Sequence, residues 1–538
     1  MLLGAALRLW QYFANSSLWI DEAALGRNII ERSTAALFGP LDFAQSAPIG
    51  FLLIEKTIAG FAGTSEFALR AFPVVCGLAS LLLFWSVSRK VLTGWAVPFA
   101  VALFSLGIPF IYFSALLKQY SSDIAVALLV LLVTLDTSRR GVTARRAGIL
   151  AIIGAAAVWL SQSTLFVVAG IGVGLLILSL LDPDRWKARQ LSLTWTLWTV
   201  SAVAATAYSL SALSDLDRDY LRWFWGEGFM KMPPESLWDL GWLPRRVIWI
   251  FGAFAPGLGH TNGGLNYRWS PVFAIVMMYG YWALWREQRD AALFLMLPVA
   301  FVVFLSAAGV YPFTARLIAF LVPYLLLATA AGANHLLTHV PRRLEVLTVF
   351  LLAVLGGAPL FAVATALPPS WVQHLRPVIA HISEEGRESD RIYVYYGAGV
   401  GFGYYAPRFG IASEHVVRGR CALEDPRSYL RELDLFRGQS RVWVVFTHEQ
   451  REGELELVRG YLDRIGVRQD TISVPASNGR SIEHAYGFLY DLSGRARLAS
   501  ATAANYPLPA SFKPVSEAFK RWGCYGITGG EPRAPSRP

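Results

Sequence analysis

Charge is what this sequence has least of. Only 16% of its 538 residues are Asp, Glu, Lys or Arg, against about 25% in soluble globular domains. With a mean hydropathy of +0.43, the chain does not read as an ordinary soluble protein. Cysteine is scarce too: three copies, Cys76, Cys421 and Cys524, with no Cys and His spacing of the zinc-site kind. Neither a GxSxG nucleophile elbow nor a Walker phosphate loop occurs. No repeat of fixed period is visible, so nothing points to a solenoid. The apolar run at 1–13 lacks the small-residue cleavage pattern of a signal peptide. A glycine-rich stretch, "GAGVGFG" at 397–403, reads as a flexible turn, not as a dinucleotide loop.

What the chain does have is long apolar runs. Runs of spanning length stand at 67–88, 94–113, 121–137, 147–162, 163–181, 191–213, 270–285, 291–309, 317–334 and 346–366, where a bilayer needs roughly 20 residues per helix. The run at 1–13 is counted as a truncated first span, which makes eleven. The boundary near 162 rests only on the turn suggested by "WLSQSTLF". Tryptophan, at 19 copies, suits membrane–water interfaces. The net charge of +10 lies largely in short loops, so it signals membrane orientation and not nucleic-acid binding. Arg89 and Lys90, the arginines at 139–146, the cations at 185–189, Arg286 and Arg289, and Arg342 and Arg343 fall on one side, which the positive-inside rule makes cytoplasmic. The opposite side receives the loop at 14–66, the turn at 113–121, the loop at 214–269 and everything beyond about 367. Within 14–66, "APIGFLLIEKTIAGFAG" reads as an interfacial helix, as does the Trp- and Arg-rich loop at 214–269.

The pattern changes after 366. "RIYVYY" (391–396), "RVWVVFT" (441–447) and "HAYGFLYDL" (484–492) are strand candidates, and 449–466 reads as a helix. The expected organisation is a polytopic α-helical membrane domain at 1–366, a soluble α/β domain at 367–494 and a poorly ordered tail at 495–538. Cys421 and Cys524 lie in this polar part and can pair if it faces an oxidising compartment; Cys76 is a small core residue.

Three constellations can carry chemistry. "NSSLWIDEAAL" at 15–25 places Asp21 and Glu22 at the mouth of the first apolar run, where ionisable groups are costly; Ser16 or Ser17 is a candidate helix cap there. "ALLKQYSSDIAVALLV" at 115–130 brings Lys118, Tyr120 and Asp123 to the start of a span. Lys118 and Asp123 are five residues apart and need a turn before Ser121 to converge. "GVYPFTARLIAF" at 309–320 puts Arg316 at the outer end of another span, where a guanidinium can grip a phosphate. By topology all three open on the same side.

The order of these motifs resembles a known family. "LWIDE" after the first span, "GTSEFALR" (63–70), "KQYSSD" (118–123) and "YPFTAR" (311–316) resemble the bacterial family 39-like membrane glycosyltransferases of the C-type glycosyltransferase fold. Relatives of that family are the protein O-mannosyltransferases, the lipid A aminoarabinose transferases and the rhizobial galacturonic acid transferases. The resemblance covers most of 1–366. It implies transfer of a sugar from a polyprenyl-phosphate donor to a lipid, glycan or protein acceptor, outside the cytoplasm, at a bacterial plasma membrane. Asp21 matches the family's catalytic aspartate and Glu22 the second acid. Lys118, Tyr120, Asp123 and Arg316 fall at substrate-binding positions, and a divalent cation held in part by Glu22 is a further implication. One departure stands out: many relatives carry His or Lys before a Pro-Pro in the first loop, where this chain has Ala47 before a single Pro48. Two other readings stay open, a lipid-linked sugar transporter or flippase and a non-catalytic membrane scaffold.

Overall fold

Apolar runs that must satisfy their own backbone hydrogen bonds become helices, and helices fill most of the first 340 residues. The computed structural model describes residues 1–254, 270–339, 369–477, 481–512 and 514–528, with isolated positions between 346 and 357. The chain forms two compact units. One comprises Met1–Ala14, Ala47–Ala212 and Trp225–Pro369; the other comprises Asn15–Ser46, Leu213–Phe224 and Ser370–Pro538. The loops 14–66 and 214–269 were expected to belong wholly to the membrane domain. Instead, Asn15–Ser46 and Leu213–Phe224 join the C-terminal unit, because their polar groups find partners there. The Tyr525 hydroxyl donates to Asp217 at 3.0 Å, and the Arg376 guanidinium donates to the Asn15 carbonyl.

The first unit is helical. Five of its helices are long and apolar enough to cross a membrane: Ala71–Val91, Tyr120–Arg140, Thr164–Leu181, Arg289–Ala307 and Arg316–His339. A sixth results if Ala188–Ser211 is taken together with Asp215–Phe224. The chain is a multi-pass membrane protein, but these described helices fall short of the eleven expected. The run at 94–113 is broken at Gly107 into Ala96–Ser105 and Ile108–Phe113. The run at 147–162 gives a helix of 17 residues, Ala144–Leu160. The first run is a 12-residue helix, Leu2–Phe13. Apart from isolated positions, the span expected at 346–366 lies outside the described residues. The boundary near 162 is real: one helix ends at Leu160 and the next begins at Thr164.

Local chemistry accounts for the ends of these helices. Tyr120–Arg140 carries Asp123 in its first turn and Arg139 and Arg140 in its last, complementing the helix dipole. Gly141, at φ 81°, ends it. Two glycines let the Ser270–Glu287 and Val322–His339 helices pack backbone to backbone. A Cβ on Gly280 would lie 1.8 Å from the Ala328 carbonyl oxygen, and one on Gly332 would lie 2.0 Å from that of Val276. The segment expected to lie at the interface forms Ile49–Ala62 and buries its acid. Glu55 is 0% exposed, and among the described residues neither carboxyl oxygen has a hydrogen bond. Burial pushes this carboxyl up to about 9, so it is a neutral acid at neutral pH.

The second unit is built on a five-stranded sheet of order β2-β1-β3-β5-β4. The strands are β1 Arg391–Val394, β2 Val416–Arg418, β3 Val442–Thr447, β4 Val467–Val474 and β5 Ala485–Asp491. β1 runs parallel to both β2 and β3, while β5 is antiparallel to β3 and β4. Every residue of the central β3 is buried, which explains its unbroken apolar sequence. The expected helix appears as Glu454–Ile465. Its first residue is a buried carboxylate that accepts from the hydroxyls of Tyr395, Tyr396 and Tyr429. The tail was expected to be poorly ordered from 495. Its described part contains the helices Arg495–Leu498, Glu517–Trp522 and Tyr525–Thr528, while 513 and 529–538 lie outside the described residues; Cys421 and Cys524 form a disulfide with Cα atoms 5.8 Å apart. "GAGVGFG" is not a loose turn: Gly399–Tyr405 is helical, and a Cβ on Gly397 would lie 2.5 Å from the His448 carbonyl oxygen.

Candidate functional site

The acid pair opens a helix, Ile20–Glu31, whose N-cap is Trp19. The expected serine cap is not used. Ser17 turns instead to the C-terminal unit's own chain, where its hydroxyl meets His374 Nδ1 at 2.6 Å and accepts from the Arg376 amide at 2.8 Å. The two acids then divide. Glu22, in the third helical position, is 1% exposed, and its carboxylate accepts from the Trp19 amide at 3.4 Å, one half of a capping box. Asp21 is partly exposed and sits in the first turn, where the helix dipole favours a carboxylate.

Behind Asp21 lies a group that the sequence reading did not include. Gln373 is 4% exposed. Its carbonyl oxygen accepts from the Ile20 amide at 3.0 Å, one of the four N–H groups that a helix start leaves without an internal partner. The same side-chain amide donates to His448 Nδ1 at 2.5 Å. Because the Gln373 oxygen is committed to Ile20, its nitrogen faces the ring, so Nδ1 is the acceptor and the imidazole proton belongs on Nε2. Nε2 lies against the Gln450 side-chain nitrogen, and a proton on Nε2 requires that amide to be turned so that its oxygen faces the ring. The ring keeps an accessible edge but is densely surrounded. Burial holds it down to about 4, against the opposing pull of the Asp21 carboxylate. His448 is therefore a neutral imidazole within electrostatic reach of Asp21. One signal could have found it: a polar "HEQ" directly follows a buried strand, and the carboxyl ends of such strands are where ligands bind in α/β sheets.

The other candidate residues belong to the helical unit. Lys118, Tyr120 and Asp123 are all buried, each 6% exposed. The chain turns before the helix, as Lys118 and Asp123 require: the Lys118 amide donates to the Leu116 carbonyl at 2.7 Å, and the helix begins at Tyr120. Arg316 joins this group, its guanidinium 5.9 Å from the centre of the Tyr120 ring and 5.4 Å from that of Trp225. Trp225 is a second residue absent from the sequence reading. Asp123 Oδ2 accepts from the Ser163 hydroxyl at 3.3 Å. Its Oδ1 is buried, and the Ser161 side chain bears on the same carboxyl. Arg316, Tyr120 and Trp225 are thus neighbours, and Lys118 and Asp123 flank Tyr120 in the same stretch of chain.

Among the described residues, no three His, Cys, Asp or Glu side chains gather as a metal site would require. The sequence matches no family model and no curated protein. Several solved structures show a likeness, among them the following two. One is the Archaeoglobus fulgidus oligosaccharyltransferase in complex with Zn and sulfate, 12% identical, with a TM-score of 0.49, over 91% of this chain and 72% of that one. The other is ArnT from Cupriavidus metallidurans bound to undecaprenyl phosphate, also 12% identical, with a TM-score of 0.47, over 90% of this chain and 97% of that one.

Proposed function

We propose that the protein is an inverting glycosyltransferase. It moves a sugar from a polyprenyl-phosphate donor to a hydroxyl of a lipid, glycan or protein acceptor, with Asp21 as general base. The observation that carries this reading is the division within the acid pair. Glu22 is withdrawn into helix capping, while Asp21 stays accessible beside a neutral imidazole.

The chemistry needs only one carboxylate. Asp21 takes the proton of the acceptor hydroxyl as its oxygen attacks the anomeric carbon. The bond from that carbon to the phosphate oxygen breaks, and the lipid phosphate leaves with the electron pair. It is already a good leaving group, so no general acid is required, in contrast to glycoside hydrolysis. Lys118 and Arg316 neutralise the charge that develops on the phosphate. Asp123 and Tyr120 hold the donor. His448, kept neutral, adds no competing charge beside the base. Glu22 does not fit the role of a metal ligand, since its carboxylate is engaged at the helix start and no cluster of further ligands surrounds it among the described residues; no step is routed through a cation.

The reading places the chain in a bacterial plasma membrane, with the C-terminal unit outside the cytoplasm. The basic loops support this orientation, as does the Cys421–Cys524 disulfide, a bond typical of oxidising compartments. The test is Asp21→Asn in purified protein, with a polyprenyl-phosphate sugar and a panel of acceptors. Transfer should fall by at least about a thousandfold while the circular dichroism and melting temperature stay unchanged. Transfer within tenfold of wild type would remove Asp21 from the role of base.

A further inference from the structure

A polar cleft lies wholly within the C-terminal unit, and nothing in the proposed transfer reaction uses it. It encloses about 440 Å³, within the range of small-ligand sites, roughly 300–1,000 Å³. Four cations line it and no acid does: Arg418 and Arg420 on one side, Lys520 and Arg521 on the other. The walls come from distant parts of the chain. Arg418 ends β2 at the edge of the sheet, whereas Lys520 and Arg521 belong to the helix Glu517–Trp522. The disulfide between Cys421 and Cys524 joins the two walls, and both cysteines line the cleft.

The charge is only partly answered by the protein. Lys520 pairs with Glu517 at 2.6 Å, and Arg521 lies over the Trp522 ring at 4.7 Å. Glu432 accepts from the Arg420 backbone amide at 3.1 Å and from the Tyr393 hydroxyl at 2.9 Å, and it also interacts electrostatically with the Arg420 charge. Two acids, Glu432 and Glu517, thus bear on four cations. Four like charges fixed around one concavity repel each other, and the field they focus there attracts anions. A monocarboxylate would neutralise one of them. A phosphate offers more charge and several oxygens, in the geometry that the guanidinium fork matches.

We propose that this cleft binds a phosphate-bearing ligand, with Arg418 and Arg420 on one wall and Lys520 and Arg521 on the other closing on the phosphate oxygens. The experiment is calorimetric titration of the full chain in a non-ionic detergent at low salt. Its probes are inorganic pyrophosphate and dihexanoyl phosphatidic acid. At least one should bind saturably, with affinity falling as salt is raised. The double variants Arg418→Ala/Arg420→Ala and Lys520→Ala/Arg521→Ala should each weaken binding by about tenfold or more, at an unchanged melting temperature. Glu517→Gln removes the acid that competes for Lys520 and should tighten binding about two- to threefold, a gain that misfolding cannot produce. Phosphatidic acid binding at least about tenfold tighter than pyrophosphate would assign the site to a lipid headgroup, and equal or weaker binding would assign it to a soluble phosphate. The proposal is overturned if neither probe binds saturably, or if the affinities of both double variants equal that of wild type. None of the four cations has a role in the proposed transfer reaction, so this outcome is independent of sugar transfer.

Discussion

Gln373→Glu separates the two roles of a single side chain. In the native protein the Gln373 amide accepts from Ile20 at 3.0 Å and donates to His448 Nδ1 at 2.5 Å. A glutamate keeps the first bond and, as a carboxylate, cannot make the second. His448 then either turns a bare Nδ1 lone pair toward an anion or takes up a proton there. The second outcome creates a charge-assisted hydrogen bond worth roughly 1.5–3 kcal/mol. At about 1.4 kcal/mol for each pKa unit, the imidazole should climb from about 4 by about one to two units.

The sign of the accompanying stability change follows from linkage. In wild type, the folded imidazole lies below its ordinary value near 6.5. Above pH 6.5 both states are neutral and His448 has no effect. As pH falls from about 6.5 toward about 4, the unfolded chain binds a proton that the folded chain refuses, so stability declines. The loss from this group approaches about 3 kcal/mol at the low end. In Gln373→Glu the folded state accepts that proton more readily, so the acid-side loss should shrink by about 1.5–3 kcal/mol. The measurement is an NMR titration of histidine-labelled protein, which has eight histidines, with the His448 signal assigned by its disappearance in His448→Gln. Urea unfolding at pH 7.5 and 4.5 gives the stability arm. A His448 signal that titrates at the same pH in Gln373→Glu and wild type would refute the donor assignment, and with it the neutral Nε2 tautomer.

Two further predictions concern other parts of the molecule. Arg316→Ala should raise the KM for the polyprenyl-phosphate donor about tenfold or more, and Arg316→Lys should recover only part of it, because a point charge replaces a fork that also stacks on Tyr120 and Trp225; an unchanged donor KM would leave Arg316 as a generic headgroup contact. Cys421→Ser/Cys524→Ser opens a loop whose ends are 103 residues apart and should cost about 2–5 kcal/mol of stability, read as a fall in the urea midpoint that a reducing agent reproduces in wild type.

The parts legible in the sequence are those whose cause is local. Apolar runs became helices, the break at Ser161–Ser163 showed through a short polar interruption, and three of the five strands stood out as β-rich runs. Edge strand β2 was missed because it is only three residues long, and β4 because it is an edge strand whose run from Arg468 to Thr471 is polar throughout, with no buried residue to mark it. Asp21 and Glu22 were legible because a carboxylate beside an apolar run is costly. Their different roles were not, since the division depends on a helix start whose partners lie far along the chain. Ile20 and Gln373 are 353 residues apart, and no periodicity spans that distance. The backbone carries a trace of the same arrangement. Gln373 and His448, which are not glycines, adopt left-handed conformations with φ 51° and 56°, each costing roughly 1–3 kcal/mol. Asn15, which precedes the acid helix and binds Arg376 through its carbonyl, does so too, with φ 47°. Strain of this kind persists only where surrounding contacts over-determine it, and here all three residues bear on the segment that carries Asp21. The C-terminal unit is therefore more than an appendage to a membrane domain. Residues 370–450 hold the helix start that orients the proposed base, so truncating the chain before Ser370 should remove the support of Asp21 even though Asp21 itself remains.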